Sequence, residues 1–204
     1  MEKPLFIVFE GGEGSGKSTQ AKALEKQLRK LGYRVVHTHE PGGTLLGDKL
    51  RRWLKWGRGL TIKTELFLFL ASRSQLVSRV ILPALEKGYI VICDRFEPST
   101  FAYQGYGRGM DLGLLATLNG LVTDGLKPDL VLLLDLKAEE GLERKKIKLD
   151  SFEREESDFH QKVREGYLQM AAAEPERWMV VDASLPEPAV RDIIWKRVEE
   201  LLAS

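Results

Sequence analysis

EGGEGSGKST, residues Glu10–Thr19, directly follows the short apolar run Leu5–Phe9. Within it, Gly11 to Ser18 fits the pattern Gly-x-x-x-x-Gly-Lys-Ser. Glycines let a backbone wrap closely around an anion and point its N–H groups inward, and a helix that begins near Lys17 adds the positive end of its dipole. The stretch therefore predicts a phosphate-binding loop between a strand and a helix.

The side chains of this loop have expected roles in binding ATP and Mg²⁺, the two predicted cofactors. Lys17 is expected to reach the β and γ phosphates, and the Ser18 hydroxyl to ligate Mg²⁺. The predicted ATP-binding residues are Gly11, Gly12, Glu13, Gly14, Ser15, Gly16, Lys17, Ser18 and Thr19. A glycine-rich turn without a ligand is the alternative, and the strand and helix patterns on either side argue against it.

The composition is that of an ordinary globular protein. The chain has 204 residues, which predicts a single domain over 1–204, with 43% hydrophobic and 30% charged residues. Its net charge of +1 favours neither nucleic acid nor an acidic membrane as a partner. The one cysteine, Cys93, has no disulfide partner in the chain, which predicts a cytoplasmic location. No apolar run approaches the ~20 residues that span a bilayer, so no membrane contact is expected.

Strand and helix patterns alternate along the chain. Five largely apolar runs are predicted to be buried strands: Leu5–Glu10, Tyr33–Thr38, Tyr89–Asp94, Leu130–Asp135 and Trp178–Asp182. Helical patterns cover Gln20–Leu31, Thr64–Lys87, Leu112–Thr123, Ala138–Lys146, Asp158–Ala173 and Glu187–Leu202. Pro83 is expected to bend or break the second of these helices. The alternation predicts an α/β fold with a parallel sheet.

The third predicted strand ends in Asp94, and Arg95 follows it. Ligands of open parallel sheets bind beyond the carboxyl ends of the strands. Asp94 is therefore expected to hold Mg²⁺ through water and Arg95 to neutralise phosphate charge, the alternative being a surface salt bridge. Asp135 also ends a strand, and we interpret it as structural.

Motors, GTPases, transporters and kinases share phosphate-binding loops of this kind, so the loop alone does not identify a substrate. The Asn-Lys-x-Asp motif of GTPases is absent from the chain.

Six stretches carry a family resemblance: Phe9–Thr19, Glu40–Thr44, Phe69–Arg73, Asp94–Gly109, Lys127–Leu130 and Phe159–Leu168. Together they resemble the thymidylate kinase family, from about Leu5 to about Ala183. The resemblance implies a three-layer P-loop NTPase fold with a five-stranded parallel sheet in the order 2-3-1-4-5. It also implies that the protein is a homodimer and phosphorylates dTMP to dTDP with ATP and Mg²⁺, in dTTP biosynthesis.

The resemblance further implies which residues act in the site. The implied substrate-binding residues are Glu13, His39, Phe69, Arg73, Arg95, Ser99, Thr100, Tyr103 and Gln104. The implied catalytic residues are Glu13, Lys17, Arg95 and Arg144. The implied metal-binding residues are Ser18 and Asp94. Phe69 would stack on thymine, and Arg73 would donate to a base carbonyl. Glu13 would bond the 3′-hydroxyl of the sugar, and Arg95 would clamp the phosphate. Without the resemblance, Phe69 is favoured as a core residue and Arg73 as a solvated charge.

A basic segment after the fourth strand marks the predicted lid, at about residues 144–156. It carries Arg144, Lys145, Lys146, Lys148 and Arg154. In the family, the catalytic arginine lies in the phosphate loop or in the lid, and this loop has Gly14 and Ser15 at the place of such an arginine. The resemblance is therefore to the bacterial type, with lid-borne catalytic cations. Ser151 stands where the family lid usually has arginine, and Arg144 is the first choice to supply the charge.

The second departure from the family is His39, which precedes Glu40-Pro41-Gly42-Gly43 where the family usually has arginine. A mostly neutral imidazole binds phosphate less well than a guanidinium, so dTMP binding is expected to be weaker or more pH-sensitive than in relatives with arginine. Glu40-Pro41 is a candidate cis peptide. Two rival functions stay open: another deoxynucleotide or nucleoside kinase, and a nucleotide-gated binding module without dTMP-dependent ADP formation.

Overall fold

A parallel five-stranded sheet forms the centre of the fold, in the order β2-β3-β1-β4-β5. The computed structural model of the chain describes residues 4–56, 59–144 and 153–203. The strands are β1 Leu5–Glu10, β2 Val35–His39, β3 Ile90–Asp94, β4 Leu130–Asp135 and β5 Trp178–Asp182. Sheet order and strand direction confirm the prediction, and β1, β4 and β5 have the predicted bounds.

The carboxyl ends of β2, β3 and β1 meet at one edge of the sheet. β1 is buried along its whole length, as expected for a central strand covered on both faces. Phe9 of β1 pairs with Asp94 of β3, and Asp94 pairs with His39 of β2. This register brings the predicted phosphate loop, Asp94 and His39 to the same edge.

Helices cover both faces of the sheet and complete the predicted three layers. They are α1 Lys17–Lys30, α2 Leu45–Trp56, α3 Ile62–Leu76, α4 Leu82–Glu86, α5 Glu97–Thr100, α6 Leu112–Thr123, α7 Ala138–Arg144, α8 Glu153–Ala173 and α9 Glu187–Ala203. Leu28 of α1 and Ile194 of α9 pack in one core cluster with Ile7 of β1. Leu76 of α3 packs in a second cluster with Val8, whose side chain lies on the opposite face of the sheet.

The helical region Ile62–Glu86 differs from the prediction in two ways. A π-helical segment, Val77–Ile81, lies just before Pro83 and joins α3 to α4, so the helix continues past the proline. The region is also long and apolar enough to cross a membrane, with a mean hydropathy of 1.3, which the sequence analysis did not expect. Arg73 in its middle is buried and bonded to residues of other elements.

Candidate active site

The phosphate loop connects β1 to α1 through glycines in conformations that other residues rarely adopt. Gly11, Gly14 and Gly16 have φ angles of 141°, 70° and 91°. Lys17 Nζ lies against the loop and donates to the carbonyl oxygens of Gly11 and Gly12 at 3.0 and 2.7 Å. The loop from Glu13 to Thr19 lines a cavity of about 590 Å³, which we call the phosphate-loop cavity.

Gly14 touches the backbone of α7. A Cβ atom on Gly14 would lie 2.1 Å from the carbonyl oxygen of Gly141, and a Cβ on Gly141 would lie 2.1 Å from that of Glu13. Any side chain at position 14 would therefore push the loop and α7 apart. The loop has no room for an arginine at Gly14, which agrees with the expectation that a catalytic cation comes from another element.

Lys17 is buried at the base of the phosphate-loop cavity, with 8% of its surface exposed. Burial, with a smaller effect from the charge of Arg95, lowers its pKa from 10.5 to about 7. The carboxylates of Asp94 and Glu13 act in the opposite direction. The amine is therefore near its titration point at neutral pH, and a polyphosphate beside it favours the charged form.

The predicted metal residues are in direct contact. The Ser18 hydroxyl at the start of α1 donates to Asp94 Oδ2 at the end of β3. Mg²⁺ in phosphoryl-transfer sites usually binds one or two protein oxygen ligands together with phosphates and water. Within 4–56, 59–144 and 153–203, no group of three or more His, Cys, Asp or Glu side chains could hold a metal ion. The pair therefore fits a Mg²⁺ that arrives with a nucleotide.

Arg95 is fixed by four hydrogen bonds and by its backbone, whose φ of 73° is uncommon for a residue other than glycine. Its Nη1 donates to Ser99 Oγ at 3.1 Å and to the Tyr167 hydroxyl at 3.3 Å. Its Nη2 donates to the Tyr103 hydroxyl at 3.1 Å and to Glu13 Oε1 at 3.2 Å. The guanidinium therefore has one orientation, beside the phosphate loop.

A second cavity, of about 410 Å³, lies next to the phosphate-loop cavity, and we call it the acceptor cavity. Every predicted substrate-binding residue except His39 lines it: Glu13, Phe69, Arg73, Arg95, Ser99, Thr100, Tyr103 and Gln104. Phe69 is half-buried in its wall and belongs to none of the core clusters of the described residues. Its position therefore favours a binding surface over the core role that its apolar neighbours suggest.

Arg73 is 1% exposed and is not a solvated surface charge. Its Nε donates to Glu40 Oε2 and its Nη1 to Thr100 Oγ1, both at 2.8 Å, and Nη1 also donates to Asn119. Its Nη2 donates to the carbonyl of Phe96 at 3.0 Å. All three nitrogens are thus bonded within the protein, and a base carbonyl would share a donor that is already engaged. Burial raises the pKa of Glu40, while the Arg73 charge opposes this rise.

The two cavities meet at four residues, Glu13, Glu40, Arg51 and Arg95. Arg51, on α2, donates to the carbonyl oxygen of Pro41 at 2.8 Å. It was not predicted, because α2 was not recognised in the sequence. The available signal was Thr44, a helix-capping residue type whose hydroxyl accepts the N–H of Gly47 at 2.9 Å. The junction therefore carries a second cation that the sequence analysis missed.

His39 and Arg144 line the phosphate-loop cavity but not the acceptor cavity. His39 Nε2 is 3.9 Å from Asp48 Oδ1, and burial followed by a neighbouring cation lowers the pKa of His39. Its imidazole is therefore mainly neutral at pH 7. Arg144 lines the same cavity and donates to the carbonyl of Ala183 at 3.0 Å. The predicted lid residues 145–152, with Ser151, lie outside the described residues.

Two expectations about neighbouring residues agree with the structure. Asp135 accepts two hydrogen bonds from Arg164, at 2.7 and 2.8 Å, and lines neither cavity. This pairing supports its interpretation as a structural residue. The Glu40–Pro41 peptide is cis, as the sequence suggested.

The fold and the site define a class of protein. A parallel sheet in this order, with a glycine loop leading from β1 into α1 and an aspartate at the end of β3, is a P-loop NTPase fold. A second cavity that meets the phosphate-loop cavity at two arginines suits phosphate transfer to another molecule. The class is therefore that of the P-loop kinases of small molecules.

Comparisons with known proteins identify the family. The thymidylate kinase family model matches residues 9–194. A thymidylate kinase of Dehalococcoides mccartyi is 54% identical over 201 residues, which cover 97% of each chain. One of Thermomicrobium roseum is 47% identical over 200 residues, covering 97% of this chain and 95% of its own. The crystal structure of thymidylate kinase from Ehrlichia chaffeensis matches with a TM-score of 0.79 at 37% identity, covering 96% of this chain and 98% of its own. The chain belongs to the thymidylate kinase family, as the resemblance implied.

Proposed function

We propose that the chain transfers the γ-phosphoryl group of ATP to dTMP, forming dTDP for dTTP synthesis. The observation that carries this proposal is the junction of the two cavities at Arg51 and Arg95. The polyphosphate of ATP in the phosphate-loop cavity would meet the monophosphate of dTMP in the acceptor cavity at these two cations. Such positioning brings the attacking oxygen close to the γ-phosphorus and neutralises charge in the transition state.

The acceptor cavity offers groups that suit a thymine nucleotide. Phe69 supplies a ring on which a base can stack, a contact worth ~1–3 kcal/mol. Gln104 donates its amide N–H to Glu65 at 3.0 Å, so its carbonyl oxygen would be the atom that accepts the N3–H of thymine. Tyr103 lies beside Arg95 and supplies an aromatic wall next to the sugar.

The chemical step needs charge neutralisation more than a general base, because the attacking phosphate oxygen is already anionic. Mg²⁺, held by Ser18 and Asp94 together with ATP, supplies a positive charge to the β and γ phosphates when bound. Lys17 would bind the phosphates of ATP in the phosphate-loop cavity, and Arg95, which lines both cavities, would bind the phosphate of dTMP. Arg144, which follows the loop-contacting residue Gly141 on α7, supplies the lid-side cation.

A coupled assay of ADP formation with dTMP, dUMP, dCMP and thymidine tests this function. We expect dTMP to be the best acceptor and thymidine to be inactive. The thymine methyl group alone gives ~1–3 kcal/mol, so dUMP should react about 10- to 200-fold less efficiently rather than fail. Phosphorylation of thymidine would indicate a nucleoside kinase, and ADP formation at the same rate with or without any acceptor would indicate a nucleotide-gated module.

We place the reaction in the cytoplasm, which suits the unpaired, buried Cys93.

We also propose that two copies of the chain pair through α2, α3 and α6. Helix α3 packs against both α2 and α6. Trp53, Phe67 and Leu121 on these helices are 67%, 59% and 74% exposed. Large apolar side chains exposed on helices that pack side by side suit an interaction surface. Sedimentation equilibrium should give twice the chain mass of 23.1 kDa, and Phe67→Glu should give the single mass. A monomeric parent would refute the pairing.

A further inference from the structure

Glu10, the last residue of β1, is fully buried beside the site. Its Oε1 accepts the N–H of Phe96 at 2.8 Å. Its Oε2 accepts the hydroxyl protons of Ser99 and Tyr167, each at 2.7 Å. Phe96 and Ser99 follow β3, and Tyr167 comes from α8. One carboxylate therefore joins β1 to both elements that surround Arg95.

The same two hydroxyls also bind Arg95. Its Nη1 donates to Ser99 Oγ at 3.1 Å and to the Tyr167 oxygen at 3.3 Å. The two hydroxyl oxygens also lie 2.9 Å from each other, farther than the 2.7 Å that separates each of them from Glu10 Oε2. Each hydroxyl has one proton and an ionised carboxylate can only accept, so the shorter contacts favour both protons pointing at Glu10, which leaves none between the hydroxyls. The lone pairs of both hydroxyls then face the guanidinium. The direction of these bonds is therefore set by the charge state of Glu10.

We propose that Glu10 is a positioning residue for the acceptor phosphate. It orients the hydroxyls of Ser99 and Tyr167, and these fix the guanidinium of Arg95. The inference rests on the proposed function, in which Arg95 binds the phosphate of dTMP. If charge alone mattered, neutralising Glu10 would strengthen the binding of an anion. The positioning role predicts the opposite, that neutralising Glu10 weakens this binding.

Glu10→Gln tests the proposal. The amide oxygen can still accept the N–H of Phe96, but the NH₂ group then faces the two hydroxyls and turns their protons toward Arg95. We expect the KM for dTMP to rise about tenfold or more and kcat to fall, because Arg95 also neutralises charge in the transition state, while the KM for ATP changes less than about threefold. Glu97→Gln is the matched control, a buried carboxylate paired with Lys127 at 2.6 Å outside both cavities. Its KM for dTMP should equal that of the parent.

The double variant Ser99→Ala/Tyr167→Phe separates positioning from support of the fold. Adding Glu10→Gln to it should raise the KM for dTMP no further, because the hydroxyls that Glu10 orients are gone. A full additional rise, or an unchanged KM in Glu10→Gln alone, overturns the proposal. If circular dichroism shows that Glu10→Gln does not fold, Tyr167→Phe replaces it in the test. This variant keeps the carboxylate of Glu10 and should raise the KM for dTMP. An unchanged KM in Tyr167→Phe would overturn the proposal.

Nuclear magnetic resonance of ¹⁵N-arginine-labelled protein gives a readout that is independent of turnover. The Nη protons of Arg95 should give separate, slowly exchanging signals in the parent and averaged signals in Glu10→Gln. If the parent and Glu10→Gln differ in these signals but the parent forms no ADP with dTMP, the proposed function is refuted and the orienting role of Glu10 remains. Identical Arg95 signals in an active parent and in the variant would refute the role of Glu10.

Discussion

Lys17 is predicted to gain a proton when ATP binds. Burial, together with Arg95, lowers the pKa of this lysine to about 7 in the free chain, from an ordinary value of 10.5. At pH 8 only about one-tenth of the free chain then carries the charged ammonium. A polyphosphate beside the amine raises its pKa again, so binding should take up about 0.9 proton at pH 8 and about 0.5 proton at pH 7.

The same linkage sets the pH dependence of affinity. Because ATP binds the charged form, its Kd should rise about 50-fold between pH 7 and pH 9. Isothermal titration calorimetry at pH 8 with saturating Mg²⁺, in Hepes and in Tris, measures the proton number from the difference in apparent enthalpy. ATP itself contributes little at that pH, because a phosphate group loses its last proton near pH ~6.

Lys17→Arg is the control for this measurement. Its guanidinium is charged at every pH used, so its proton uptake at pH 8 should fall to about zero. A parent whose binding enthalpy is the same in both buffers would refute the buried, half-titrated lysine. Equal uptake in the parent and in Lys17→Arg would assign the proton to another group.

Three further variants test other parts of the site. The Cβ of Gly14→Ala would lie 2.1 Å from the carbonyl oxygen of Gly141, so this variant should raise the KM for ATP and lower the thermal midpoint of unfolding. Gly12→Ala is the comparison for the midpoint, because a Cβ at position 12 meets nothing within 4 Å. Phe69→Ala removes a stacking surface worth ~1–3 kcal/mol and should raise the KM for dTMP about 5- to 150-fold in steady-state kinetics. His39→Arg adds a permanent cation and should lower the KM for dTMP and flatten its pH dependence; the same KM as the parent from mildly acidic to mildly alkaline pH would contradict this.

The sheet and the phosphate loop were predictable because their signals are local. β1, β4 and β5 are continuous apolar runs, and their lengths in the sequence are their lengths in the structure. The glycine spacing of the loop encodes the positive φ angles that the turn requires. Helix α2, which directly follows the glycine turn of Glu40–Thr44, was missed although its apolar residues recur at helical spacing, and Arg51 was missed with it.

The environment of the buried charges could not be predicted, because it depends on residues far apart in the chain. Arg73 reaches Glu40 across 33 positions and Asn119 across 46. Glu10 reaches Phe96 across 86 positions. None of these three separations leaves a periodic pattern in the sequence. The resemblance marked Arg73 as a site residue, but only the packed structure shows that its donors are already engaged within the protein.

Three acidic residues lie at the sheet edge where two polyanions are proposed to bind, an arrangement that charge alone would disfavour. Glu10 ends β1, Glu40 follows β2 and Asp94 ends β3. Each accepts from a group of the site: Glu10 from the hydroxyls that orient Arg95, Glu40 from Arg73, and Asp94 from a hydroxyl of α1. A cation fixed beforehand in one geometry loses less entropy on meeting a phosphate than a mobile one. Glu10 therefore favours anion binding by ordering Arg95, and the rise in KM for dTMP in Glu10→Gln should persist at high salt, where long-range charge effects are screened.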